Sequence, residues 1–476
     1  MLFTDGSFPF LLLPIVVIVL RLRRVKANSR WSAFCILVAS LLFYATWDIR
    51  SIPFLLVSIL ANYGAVTLLQ RRDTPGKYVT RKFVLTIGVC FNLGSLAFSK
   101  YWVSLVVPIF GSILPSALQF HSPWFPVGIS FFSFTQVAYL IESYRGAAIR
   151  ASLLTFASYV LFFPHLVCGP ILRQAETIPE LEAGSCATNQ QLIEGLQLLI
   201  RGMIRKTLIA DPLGVYIQPL IASIESGSSF DMRGSWIVII CYAFQIYFDF
   251  SGYSMMAIGI ARMLGFRIPV NFDAPYRSIG IIDFWRRWHM SLSSFLRDYL
   301  YIPLGGSRRG RAIQYRNLIL TMTLGGLWHG STFNFALWGL IHGCLLIGEH
   351  MIRDKQPRII ERLEGEFMRP IVQLLTFGLV VLAWVPFRFE SMDTVWRFWG
   401  NLFGLGGESS TPWPNTIILP LLLGLIFVIM ERRTRTIEDT VSSLKQTKRS
   451  LLIHGLGFVL AILASGTTTE FLYARF

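Results

Sequence analysis

Charge is scarce in this chain. Of its 476 residues 15% are charged, against 53% hydrophobic and 14% aromatic, where soluble domains carry roughly 25% charged residues. That excludes an ordinary soluble globular protein. The longest polar stretches, around 171–195 and 431–450, are too short to make a separate soluble domain. Cysteine is sparse too: Cys35, Cys90, Cys168, Cys186, Cys241 and Cys344 show no CxxC spacing. They read as small buried hydrophobes, without a disulfide framework or a zinc site. Neither HExxH nor a carboxylate–histidine cluster occurs, so no metal is expected. The GxSxG elbow of serine hydrolases and the P-loop are missing as well. No sustained internal repeat is visible, which weighs against a transporter built from inverted halves.

Apolar runs fill the space that charge leaves. They lie near 8–20, 32–47, 51–69, 83–98, 102–118, 124–141, 151–168, 192–220, 236–262, 317–348, 371–387, 416–430 and 451–465. Many approach the ~18 residues that span a bilayer. The expected fold is all-α, a polytopic integral membrane protein with roughly eleven to thirteen membrane segments. Pro164, Pro170, Pro212 and Pro219 are expected to interrupt some of them. Broken helices are tolerated where they line a cavity or are buried in protein, so re-entrant and interfacial pieces are anticipated.

A net charge of +16 raises the question of nucleic acid. The basic residues, however, form short blocks between apolar runs, at 21–30, 71–82, 307–316 and 432–449. Such loops mark the cytoplasmic side and lie against anionic lipid, so membrane lipid is the expected partner and nucleic acid is not. The first apolar run has its basic cluster after it, the reverse of a cleaved signal peptide. It is read as an anchor whose N-terminus points outward. Alternation then puts 21–30, 71–82 and 432–449 inside and both termini outside.

Within this frame "GGLWHG", residues 325–330, stands out. A titratable ring in hydrocarbon is costly unless it faces a cavity or a partner, and glycines let a backbone or a ligand come close. His329 is therefore a site candidate. Asp249, in "QIYFDFSGYS", is a second intramembrane polar group; a structural carboxylate bonded to Ser251 or Tyr253 competes with a functional one. The segment "DFWRRWHMSLSSFLRDYLYIPLGG" mixes aromatic rings with Arg286, Arg287, Arg297 and Asp298. A helix lying at the interface, with rings at headgroup depth, would account for most of it, His289 included. His342 follows His329 by thirteen residues, about 220° round an ideal helix, so a dyad is not expected. His121, His350 and His454 are placed in loops, and His165 just before a broken segment.

In order and spacing, "YFDFSGYS", "NFDAPYRS", "DFWRRWHMSLSSFLRDYLYIPLGG", "YRN" and "TLGGLWHG" resemble the membrane-bound O-acyltransferase (MBOAT) family. The nearest branch resembles the bacterial alginate O-acetyltransferases, with teichoic-acid D-alanyl transferases as cousins. "FPVGISFFSFTQVAYLIESYRG", "FFPHLVCGPILR" and the closing "FLYARF" are similar to the same branch. Met255 stands where the family usually has Asp, so no role of that carboxylate carries over, and "CGP" at 168–170 replaces the family's "AGP".

The resemblance implies one multi-span acyltransferase domain over 1–476, with a catalytic core at about 124–348. It implies that His329 is the catalytic histidine and His289 the second. The chemistry agrees: acyl transfer to a hydroxyl needs a base near neutral pH, which imidazole supplies. His329 would either deprotonate the acceptor or carry the acyl group itself. Gly325, Gly326 and Gly330 would let a narrow acyl tunnel pass. Trp328, Asp249, Trp285, Arg286, Arg287 and Asp298 are the candidate substrate- or donor-binding residues, with Arg286, Arg287 or Arg308 facing donor phosphates.

No bound cofactor is expected; acetyl-CoA is the expected acyl donor, arriving from the cytoplasm. An acyl-carrier protein docking on 307–316 is the alternative. The acceptor would be an exported or cell-surface polysaccharide, reached through a periplasmic or extracellular acetyltransferase partner. The membrane would be the bacterial inner membrane. Peptidoglycan O-acetylation and D-alanyl transfer are the alternatives within the enzyme class, and a transporter or flippase the alternative outside it.

Overall fold

The apolar runs become helices. In a computed structural model, the described residues are 3–22, 29–71, 78–110, 113, 126–184, 186–406, 417–431, 433, 436–442, 444, 447–464 and 472. Among the described residues, six helices are long and apolar enough to cross a membrane: Arg30–Gln70, Thr80–Phe110, Asn189–Glu225, Met232–Leu264, Phe333–Lys355 and Arg369–Arg388. Phe8–Leu22, Ile418–Met430 and Ser450–Ala464 are shorter apolar helices. Among the described residues there is no strand. The helix Ile418–Met430 shows why lipid must surround the fold. It buries Pro420 and Gly424 while Leu419, Leu422, Ile426 and Ile429 stay exposed. A helix apolar on its open face is stable only against hydrocarbon. The chain is a multi-pass helical membrane protein.

Two compact units divide the chain. One comprises Met1–Gly202, Tyr253–Pro269 and Leu444–Gly455; the other comprises Met203–Gly252, Val270–Ser443 and Leu456–Phe476. In the first, Arg262 grips Glu194 at 2.8 Å. Close by, Gly195 and Gly259 meet backbone to backbone, a Cβ on either lying 2.5 Å from the other's carbonyl oxygen. The second unit holds every candidate site residue.

The structure departs from the sequence reading in several places. The run 317–348 is two helices, Arg311–His329 and Phe333–Lys355, separated at Gly330–Thr332. Gly330 is fully extended (φ −163°, ψ 168°), which ends the first helix. Pro212 and Pro219 do not interrupt their segment: Asn189–Ile204 passes through the π-helical Arg205–Ala210 into Asp211–Glu225. The wider i→i+5 turn carries the chain past Pro212, which falls in the next helix's first turn, where a missing N–H is harmless. Pro164 and Pro170 do accompany breaks: Pro164 starts the four-residue helix Phe163–Leu166 and Pro170 lies outside any helix. His350 and His454 sit in the helices Phe333–Lys355 and Lys448–Ala464, not in loops. His121, most of "FLYARF", and residues 23–28, 72–77, 432, 434–435, 443 and 445–446 of the basic blocks lie outside the described residues.

Candidate active site

His329 owes its position to a helical hairpin. Arg311–His329 and Phe333–Lys355 run antiparallel, and two glycines set their separation. A Cβ on Gly326 would lie 2.1 Å from the Phe335 carbonyl oxygen, and one on Gly339 would lie 2.1 Å from that of Met322. No side chain fits at either point, so the backbones touch. An Arg311–Asp354 ion pair joins the helices at the far end. Gly325 faces Leu296 and Gly330 faces the Phe335 ring. These glycines thus admit neighbouring protein rather than line a tunnel.

His329, the last residue of its helix, is 2% exposed. Its ring meets Trp328 at 4.8 Å, Trp338 at 5.3 Å and Phe387 at 5.2 Å, all edge-on. Trp338 and Phe387 are themselves packed against Trp384. The imidazole is therefore a buried polar group with aromatic rings on three sides.

His289 reaches one of the same rings from a different element. Its ring lies 6.3 Å from Trp328 and stands edge-on to Phe250 at 4.7 Å. It is fully buried and precedes the short helix Met290–Leu296 with φ 42°, ψ 55°. Among the described residues, only Ala274 shares positive φ without being glycine. Such strain costs a side-chain-bearing residue about 1–3 kcal/mol and persists only where surroundings fix it. Here they do: Asn271 takes the Met290 N–H on its carbonyl at 2.9 Å, and its Oδ1 lies 3.1 Å from His289 Nδ1. Burial pushes the His289 imidazole down to about 3, so it is neutral at physiological pH.

The segment 281–311, expected as an interfacial helix, is in part core. Trp288 and Phe284 are 1% exposed and Arg287 is 3% exposed, so these rings are core. Arg287 is bound to Asp283 at 2.8 Å, and Arg433 reaches Asp283 at 3.5 Å. Arg286 and Arg308 are exposed; Arg297 pairs with its neighbour Asp298 at 2.7 Å. Trp285 donates its indole N–H to His342 Nδ1 at 3.2 Å. His342 also meets Trp338 at 4.9 Å, so Trp338 touches both His342 and His329. The two histidines belong to different helices, so the 220° spacing expected along a single helix does not apply.

Asp249 binds neither Ser251 nor Tyr253. It accepts from Lys206 Nζ at 2.6 Å, and Lys206 also pairs with Asp211 at 2.7 Å, all three buried. The other Asp249 oxygen accepts the Leu472 N–H at 2.8 Å. One residue earlier, Arg205 reaches Glu431 at 2.7 Å and Ser251 at 3.1 Å. The sequence reading overlooked Lys206, although a Lys–Asp pair five apart inside an apolar run is a signal of the kind Asp249 gave. It also missed Asn271, whose short polar side chain carries no mark of its own, and Trp338, which looks like any core ring.

Residues 41–359 match the family described as MBOAT, membrane-bound O-acyltransferase family. A probable alginate O-acetylase of Pseudomonas putida is 37% identical over 409 residues, 85% of this chain and 81% of that protein. A peptidoglycan O-acetyltransferase of Helicobacter pylori is 32% identical, covering 86% of this chain and 81% of its own. A teichoic acid D-alanyltransferase of Streptococcus thermophilus is 28% identical over 55% of this chain and 68% of its own.

Proposed function

The chain belongs to the membrane-bound O-acyltransferase family and is an O-acyltransferase, and from that premise we propose that it moves acetyl groups from a cytoplasmic thioester, acetyl-CoA, to an exported or cell-surface polysaccharide. The 37% identity to a probable alginate O-acetylase over most of both chains supports the acceptor class. The observation that carries the chemistry is His329, a buried imidazole held at a helix end among Trp328, Trp338 and Phe387. In such a dry site one basic nitrogen can take the proton of the acceptor hydroxyl as its oxygen attacks the thioester carbonyl, the thiolate leaving. Alternatively His329 attacks first and passes the acyl group on. The exposed Arg286 and Arg308 suit the donor's phosphates; Arg287, engaged by Asp283, suits them less.

The protein would sit in the bacterial inner membrane with both termini outward, and an outer-face partner would complete the transfer. The Helicobacter pylori relative favours peptidoglycan as a second acceptor. Purified protein incubated with labelled acetyl-CoA tests the reading. Thioester consumption, or label on the enzyme or a polysaccharide, is expected for wild type and not for His329→Ala. Equal turnover by a well-expressed His329→Ala would overturn it. Impermeant labelling of a cysteine at Ser7 in intact cells tests the orientation; protection there would reverse it.

A further inference from the structure

Asn271 is fully buried, and three groups converge on its side-chain oxygen. The Ser291 backbone N–H donates to Oδ1 at 3.2 Å, the Ser291 hydroxyl donates at 2.8 Å, and His289 Nδ1 lies 3.1 Å away. A backbone amide can only donate, so the atom facing it is the oxygen and not the amide nitrogen. That oxygen has no proton to give, so the contact with His289 requires a proton on Nδ1. In a neutral imidazole the lone pair is then on Nε2.

His342 is set the other way. The Trp285 indole N–H can only donate, and it donates to His342 Nδ1, which leaves that proton on Nε2. Two buried histidines of one unit are thus fixed in opposite tautomers by their neighbours.

We propose that Asn271 is the positioning residue for His289: it holds the Nδ1–H tautomer and the left-handed backbone, and so leaves Nε2 as the accepting nitrogen of a ring that lies 6.3 Å from Trp328. The backbone around it serves the same end. Asn271 O accepts from Met290 N, and Asp273 N donates to Arg287 O at 3.0 Å, so 271–273 clamps both sides of His289. Where His329 carries the acyl group, His289 Nε2 would accept the proton of the acceptor hydroxyl, a use that rests on the acyl-transfer reading. The tautomer itself rests on hydrogen bonding alone.

Nitrogen-15 spectra of the full-length protein with labelled histidine decide it. Wild type at neutral pH is expected to show a neutral Nδ1–H histidine whose signals vanish in His289→Gln. Asn271→Asp, which keeps an accepting oxygen, retains that form; Asn271→Ala loses it. Loss of an outer partner of a site histidine costs about 10–100-fold where it has been measured at metal sites. A fall of that size in kcat with little change in KM is expected for Asn271→Ala, with recovery in Asn271→Asp. A wild-type His289 protonated on Nε2 would overturn the proposal, and needs no Asn271 variant to fold. So would an Nδ1–H form that persists in folded Asn271→Ala. The Nδ1–H form in a protein that transfers no acyl group would support the positioning and overturn the acyl-transfer reading alone.

Discussion

Gly326 rests on the backbone of Phe335 so closely that a Cβ would lie 2.1 Å from the carbonyl oxygen. This contact sets the hairpin that carries His329 three residues on. Gly326→Ala must push the helices apart, and overpacking of this kind typically costs 1–3 kcal/mol. Gly325→Ala meets only the end of the Leu296 side chain at 3.1 Å, which can rotate. Thermal denaturation in detergent should show a large loss for Gly326→Ala and a small one for Gly325→Ala. A reversed order would refute the backbone-contact account.

The two histidines should separate kinetically. His329→Ala should lower acyl transfer by at least ~10²–10⁴, the usual cost of removing a general base. Trp338→Phe should keep the fold and lose less, because an aromatic wall remains beside His329. Trp338→Ala should cost about 3–5 kcal/mol of stability through the cavity it opens. Paired measurements of transfer rate and melting temperature distinguish a chemical loss from a structural one.

Removing either partner of the Lys206 cluster should not be equivalent. Lys206→Met leaves Asp211 and Asp249 buried together without their shared cation, and breaking a buried pair costs about 3–5 kcal/mol. Asp249→Asn leaves the Lys206–Asp211 contact of 2.7 Å intact. Its melting temperature should fall less. Equal losses would mean that Asp211 contributes little.

Stability should depend on pH through His289. Its pKa is lowered by burial from 6.5 to about 3, so between those values the unfolded chain binds a proton that the folded chain does not. Stability is therefore complete above pH 6.5 and falls as pH drops toward 3, by up to about 1.4 kcal/mol per unit. Melting temperatures at pH 7.5 and 5 should differ more for wild type than for His289→Gln. An equal difference would show that His289 does not carry the effect.

The class of fold was legible in the sequence because its signal is local. Apolar length and scarcity of charge dictate membrane helices whatever their arrangement, but the glycines around His329 read equally as room for a ligand or for backbone, and only the packing put Phe335 and Leu296 against them. What touches what was not local. A run of apolar residues has the same composition whether it is one helix or two, so the turn at Gly330–Thr332 was hidden and His342 was set on the wrong face. Asp249 found its cation 43 positions earlier in the chain, at a separation no periodicity records. Basic and aromatic residues near 285–289 look alike at an interface and in a core. Only the packing of 271–273 against 287–291 decided that His289 is buried, strained and fixed by Asn271.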